Sequence, residues 1–86
     1  MREAETKLKQ LIPTAEVYEH NARRLYIRIP RERLTEAAKL LHRECGMRLA
    51  ICTGIDTREG FEVLYHFSED KTGIIYTLKV LAPKDD

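Results

Sequence analysis

His42, Cys45 and Cys52 are the residues whose types and spacing come nearest to chemistry in this chain. A histidine and a cysteine three apart near one helix end, with a second cysteine seven residues on, offer three ligands to a metal; His20, His66 or a carboxylate would have to be the fourth. The spacing matches no strong zinc pattern. Cys45 also fits an apolar helix stripe and Cys52 alternates with strand neighbours, so core thiols are the better reading, free cysteine being among the most buried residue types. A nucleophile pair drawn from Cys45 and His42 lacks an orienting group and an oxyanion donor. His66, between Tyr65 and Phe67, reads as a histidine hydrogen-bonded to a neighbour at the edge of the interior rather than as a general base. The four glycines are not clustered as a phosphate loop requires. No catalytic, cofactor-binding or metal-binding residue is assigned, and the chain is expected to be inert by itself and to need no cofactor.

The elements that must position these residues follow from periodicity. Residues 2 to 12 read as a short helix with Ala4, Leu8, Leu11 and Ile12 in one stripe, ended by Pro13. Residues 15 to 20 and 24 to 29 read as a hairpin, the second strand alternating Leu25, Ile27 and Ile29 against Arg24, Tyr26 and Arg28. Pro30 opens a helix to about Glu44, with Leu34, Ala37, Ala38, Leu41 and Cys45 at helical spacing and Gly46 as its C-terminal cap. Three alternating strands complete the chain: Met47, Leu49, Ile51 and Ile55; then Phe61, Val63, Tyr65 and Phe67; then Ile74, Tyr76, Leu78 and Val80. If Ile55 faces Phe61 and Phe67 faces Ile74, all three apolar sets share one face. The other face, carrying Ala50, Cys52, Leu64, His66, Ile75, Thr77, Lys79 and Leu81, is too apolar to be fully wet and too polar for deep core. The order α-β-β-α-β-β-β predicts an α+β domain, an antiparallel sheet of about five strands with one main helix on one face and a short N-terminal helix.

Eighty-six residues make a single domain spanning 1–86, and a chain of this length buries roughly 60 to 65% of its unfolded surface, which leaves little room for an enclosed active site. Hydrophobic residues at 43% and charged residues at 34% describe a globular protein that is neither disordered nor membrane-spanning. No secretory signal is visible, and two cysteines do not make a disulfide framework, so a reducing cytoplasmic setting is expected.

The net charge of +1 is unevenly spread. Residues 21 to 48 hold eight Arg or Lys against three Glu, a net of +5, whereas residues 49 to 86 carry a net of −3. This asymmetry points to a basic side that meets an acidic partner, set against the plainer reading that Arg31, Arg33, Lys39 and Arg43 solvate the exposed face of an amphipathic helix. Arg24, Tyr26 and Arg28 on one strand face form a small basic patch with one aromatic, the pattern that stacks a nucleic-acid base. A lone aromatic is a weak platform, and the sequence pI near 7.8 falls short of the strongly basic domain such binding favours. A nucleic-acid-binding module is thus the alternative reading and nucleic acid is not the favoured partner.

The run Leu49-Ala50-Ile51-Cys52-Thr53-Gly54-Ile55-Asp56, then Gly60-Phe61-Glu62-Val63-Leu64-Tyr65-His66-Phe67, then Ile75-Tyr76-Thr77-Leu78-Lys79-Val80, resembles the N-terminal part of the C-type subunit of NADH-quinone oxidoreductase, respiratory complex I, and the related subunits of membrane-bound energy-converting hydrogenases. Ile29-Pro30 with Glu32, Leu34 and Glu36, and a helix closing at Gly46, is similar to that family's order of elements. The likeness covers roughly residues 15 to 83. It implies a non-catalytic peripheral-arm subunit that has no redox centre, lies on the cytoplasmic side without inserting in the membrane, and contributes to assembly and docking of the large subunit of an oxidoreductase complex. On that reading Leu64, Ile75 and Leu81 are the expected docking residues, unless the first helix covers their face. The family's Glu-Arg-Glu triplet with a following Asp and Gly, which lies past the last strand, has no counterpart before Asp86, so none of that motif is carried over.

Overall fold

The computed structural model describes residues 3–58 and 60–83. The first helix, α1 (Glu3–Leu11), has Glu3 and Glu5 in its first turn and Lys9 in its last, the arrangement that the helix dipole favours. It buries Ala4 and Leu8 and hands on to buried Ile12, whose amide still bonds to the Leu8 carbonyl at 2.7 Å. Strands β1 (Glu16–Asn21) and β2 (Arg24–Arg28) form the expected hairpin. Pro30 lies in extended backbone and starts the second helical run: a tight turn at Arg31–Arg33, the helix α2 (Leu34–Lys39), and a widened turn at Leu40–Glu44. That wide turn closes through Cys45 N to Leu40 O at 3.1 Å and Met47 N to Leu41 O at 3.0 Å, and Gly46 at φ +67° reverses the chain, a conformation that costs glycine little.

Strands β3 (Arg48–Asp56), β4 (Gly60–Glu69) and β5 (Ile74–Pro83) follow. The five strands make one sheet in the order β1-β2-β5-β4-β3. The α+β class and the order of elements are as expected. One pairing adds a feature that the local pattern does not carry: β5 inserts beside β2 in parallel, Leu25 opposite Tyr76 and Ile27 opposite Leu78, so the sheet is mixed. Its neighbour on the other side, β4, is antiparallel, with Phe67 opposite Tyr76 and not Ile74. This shift of two residues keeps every side chain on its expected face.

The β3–β4 ladder departs further. Leu49 lies opposite Phe67, but Ile51 lies opposite His66, so the ladder steps past Ala50 in a β-bulge. Beyond such an insertion the alternation inverts. Cys52, Gly54 and Asp56 therefore align with Tyr65, Val63 and Phe61, while Ile51, Thr53 and Ile55 align with His66, Leu64 and Glu62. The expectation that Ile51 and Ile55 join the core is overturned: they are 59% and 42% exposed. Cys52 is likewise not a core thiol but an exposed one, and Cys45 is half-buried.

Both helical segments lie on the same side of the sheet. Ala4, Leu8, Ile12, Ala37, Leu40 and Leu41 form one cluster with Leu25, Ile27, Phe67, Tyr76, Leu78 and Val80. Arg33 ties the two segments together, one of its Nη2 hydrogens donated to the Leu11 carbonyl at 3.1 Å and another to Glu36 at 2.7 Å. The first helix packs into that cluster through Ala4 and Leu8 and so does not cover the mixed face.

The bulge makes a stability contrast. Ile27→Ala empties a fully buried site and is expected to cost about 2–5 kcal/mol. Ile51→Thr, at a position that plain alternation assigns to the core, should cost about 0.5 kcal/mol or less. Urea denaturation of the two variants checks both values; a loss at Ile51 comparable to that at Ile27 would contradict the bulged register.

Candidate functional site

The open face of the sheet reads, strand by strand, as Glu16 and Tyr18 on β1, Arg24, Tyr26 and Arg28 on β2, Ile75, Thr77, Lys79 and Leu81 on β5, Glu62, Leu64 and His66 on β4, and Ile51, Thr53 and Ile55 on β3. It divides into two halves. The β1–β2 half is polar and basic; the β4–β3 half, with Leu81, is largely apolar.

At the junction, Thr77 is only 3% exposed and its hydroxyl is hydrogen-bonded to Nδ1 of His66 at 2.9 Å, which satisfies a buried polar group. His66 titrates below the ordinary histidine range because burial penalises the imidazolium and because the Arg24 charge repels it. Lys79 reaches across the same junction, 3.7 Å from the Glu62 carboxylate and 5.7 Å from the Tyr26 ring centroid. His20 meets that ring edge-on at 5.9 Å. Arg24, Tyr26 and Arg28 do share a face, as the sequence indicates, but Tyr26 is held by Lys79 and His20, which reduces its value as a stacking platform. Leu64 and Ile75 are half-buried and Leu81 is exposed. All three lie on this face; the inverted alternation of β3 adds Ile51 and Ile55 on the side of Leu64 and Leu81, whereas Ile75 lies between Ser68 and Arg24.

His42, Cys45 and Cys52 are not gathered into a centre. Among the described residues no group of three or more His, Cys, Asp or Glu is placed to hold a metal ion. His42 Nδ1 is 2.9 Å from the Met47 carbonyl, where it braces the wide turn. Burial pushes the Cys45 thiol up, away from the thiolate that either a nucleophile or a metal ligand requires. Cys52 lies on the outer strand of the sheet.

A second feature was not foreseen from the sequence. On the helical side, the β3–β4 strip beyond α2 is left bare: Leu49 is 52% exposed and Phe61 48% exposed. The Phe61 ring lies over Gly54, so close that a β-carbon there would meet Cε1 at 2.6 Å. Where the strip adjoins α2 there is a groove of about 690 Å³, floored by Leu34, Ala38, Leu49, Tyr65 and Phe67. The signal available in the sequence was a count of widths, two helical segments against five strands, rather than any motif.

No family model matches the chain, and no curated protein sequence matches it. Solved structures share this mixed-sheet α+β fold. A chain of the membrane-bound sulfane sulfur reductase, an archaeal respiratory membrane complex, superposes with a TM-score of 0.83 at 24% identity over 96% of this chain and 50% of that one. A trypsin-resistant fragment of Nqo5 superposes with a TM-score of 0.73 at 23% identity over 98% of this chain and 68% of that fragment. The protein thus spans about half the length of the reductase chain that it resembles.

The depressed His66 pKa has a definite sign. Above the ordinary histidine value of 6.5 the imidazole is neutral in folded and unfolded chains alike. As pH falls through that value the unfolded chain takes up the proton more readily, so stability is lost toward the lower folded-state pKa. His66→Gln is expected to flatten the decline of the urea midpoint between neutral and mildly acidic pH; an unchanged decline would show that His66 does not contribute to it.

Proposed function

We propose that this chain is a non-catalytic peripheral-arm subunit of a complex I-like NADH-quinone oxidoreductase or a related membrane-bound hydrogenase, where it contributes to assembly and docks the large subunit. The observation that carries the reading is a sheet face left bare, on a fold shared over 96% of the chain with a chain of an archaeal respiratory membrane complex. The likeness to Nqo5, a complex I protein, and the resemblance of the β3–β5 sequence to the C-type subunit of complex I also favour it. An exposed apolar area rimmed by polar groups is the usual mark of an interaction surface. Leu64, Ile75 and Leu81, with Ile51 and Ile55 on the side of Leu64 and Leu81, are the docking residues on this reading, and the Glu62–Lys79 pair and Arg24–Arg28 supply the polar surround. The large subunit and its neighbours in the complex are the partners. The chain's place is peripheral, on the cytoplasmic side of the membrane; no helix among the described residues is long and apolar enough to cross one.

Affinity purification of the tagged full-length chain from its native host at moderate salt, followed by mass spectrometry, tests the proposal. Recovery of the large subunit of a membrane-bound redox complex is the expected result, with Leu81→Asp lowering that recovery by about tenfold while leaving the fold intact. Recovery of nucleic acid alone, lost on adding salt, would overturn it and move attention to Arg24, Tyr26 and Arg28.

A further inference from the structure

The groove beside α2 lies on the side of the sheet opposite the proposed docking face, and its chemistry is different. Its floor is apolar, and Lys39, His42, Arg43 and Arg48 stand on its rim. Arg48 has an exposed partner in Asp70 at 3.1 Å, a contact of the weak, solvent-screened kind. Lys39 and Arg43, one turn apart on the rim, have no carboxylate partner among the described residues. No acidic side chain lines the groove among the described residues.

The dimensions select the occupant. Two adjacent strands present a strip roughly 10 Å wide, the diameter of one α-helix. β3 has nine residues, about 30 Å of strand and the length of a helix of roughly 18 to 20 residues. A helix laid there would continue the layer begun by α1 and α2. It would cover Leu49 and the remaining exposed part of Tyr65 with an apolar ridge and would turn one flank toward Lys39 and Arg43.

We infer that this groove receives an amphipathic helix of a partner protein that bears acidic residues along one flank. The pairing follows from complementarity of both kinds: apolar ridge to apolar floor, and carboxylates to Lys39 and Arg43 on the rim. It does not depend on which complex holds the protein, since it uses neither the open face nor the fold likeness.

The test is an NMR titration of the isotope-labelled full-length chain with a synthetic helical peptide of roughly 18 residues carrying leucines at i, i+3, i+4 and i+7 and glutamates on one flank. A twin peptide with lysines in place of the glutamates is the control. Expected are saturable shifts at Leu34, Ala38, Leu49 and Tyr65, and affinity weaker by about tenfold or more for the lysine twin and for the exposed Lys39→Glu, Arg43→Glu double variant. Equal binding of the two peptides, shifts centred on Ile51 and Leu64, or no saturable binding at millimolar peptide would each overturn the inference. The twin comparison uses the unaltered protein, so it stands even if the double variant fails to fold.

Discussion

The insertion of β5 between β2 and β4 is the constraint on which the rest of the molecule depends. The last strand becomes the middle of the sheet, and Tyr76, Leu78 and Val80 are buried there together with Leu25 and Ile27 across the parallel pair and Phe67 across the antiparallel one. Without β5, the N-terminal hairpin and the β3–β4 hairpin are two separate ribbons, and a lone two-stranded ribbon is marginal in water. The contacts that join them are long-range in sequence, so their loop-closure entropy must be met before any apolar burial rewards it. The wide turn after α2, the reversal at Gly46 and the second reversal at Gly73 (φ +74°) all serve to bring the chain back to that central slot.

A five-stranded sheet with helical segments on one side cannot bury both of its surfaces. One face keeps Ile51, Ile55 and Leu81 in contact with water, and the strip beyond α2 on the other face keeps Leu49 and Phe61 there too. The molecule is correspondingly elongated, 39 Å along one axis against 22 and 20 Å along the others. The outer strand β3 compounds this, because its run from Leu49 to Ile55 contains no charge, whereas free-standing proteins usually guard such edges with charges or prolines. A bulge at Ala50 twists it without covering it. The uncovered apolar side chains and the unguarded edge strand are the surfaces that an interaction would bury.

Three polar side chains hold neighbouring segments together. His42 secures the turn after the helix, His66 satisfies buried Thr77, and Arg33 links α1 to the second helical run. Each meets a hydrogen-bonding need; the Arg33–Leu11 and His66–Thr77 bonds join groups 22 and 11 residues apart, whereas the His42–Met47 bond is local to its turn.

Much of this was legible in the residues themselves. Period-two alternation located β2, β4 and β5 and placed Leu25, Ile27, Tyr76, Leu78 and Val80 inside; helical spacing located Ala4, Leu8, Ala37 and Leu41, and Pro13, Pro30 and Gly46 marked the helix limits. Such signals are local, since they reflect backbone sterics and one-sided solvation within a few residues. The faces of Ile51, Ile55 and Cys52 were not legible, because one bulged residue inverts the alternation and nothing in Leu49-Ala50-Ile51 marks it. Nor did the sequence alone determine that β5 pairs in parallel with β2, that α1 joins α2 on one side, or that a cationic rim stands beside exposed Leu49. Those are outcomes of which surfaces meet when the chain closes, and segments far apart in sequence compete for the same burial. Side-chain patterns determined what each segment would bury; only the tertiary structure decided against what, and what was left uncovered.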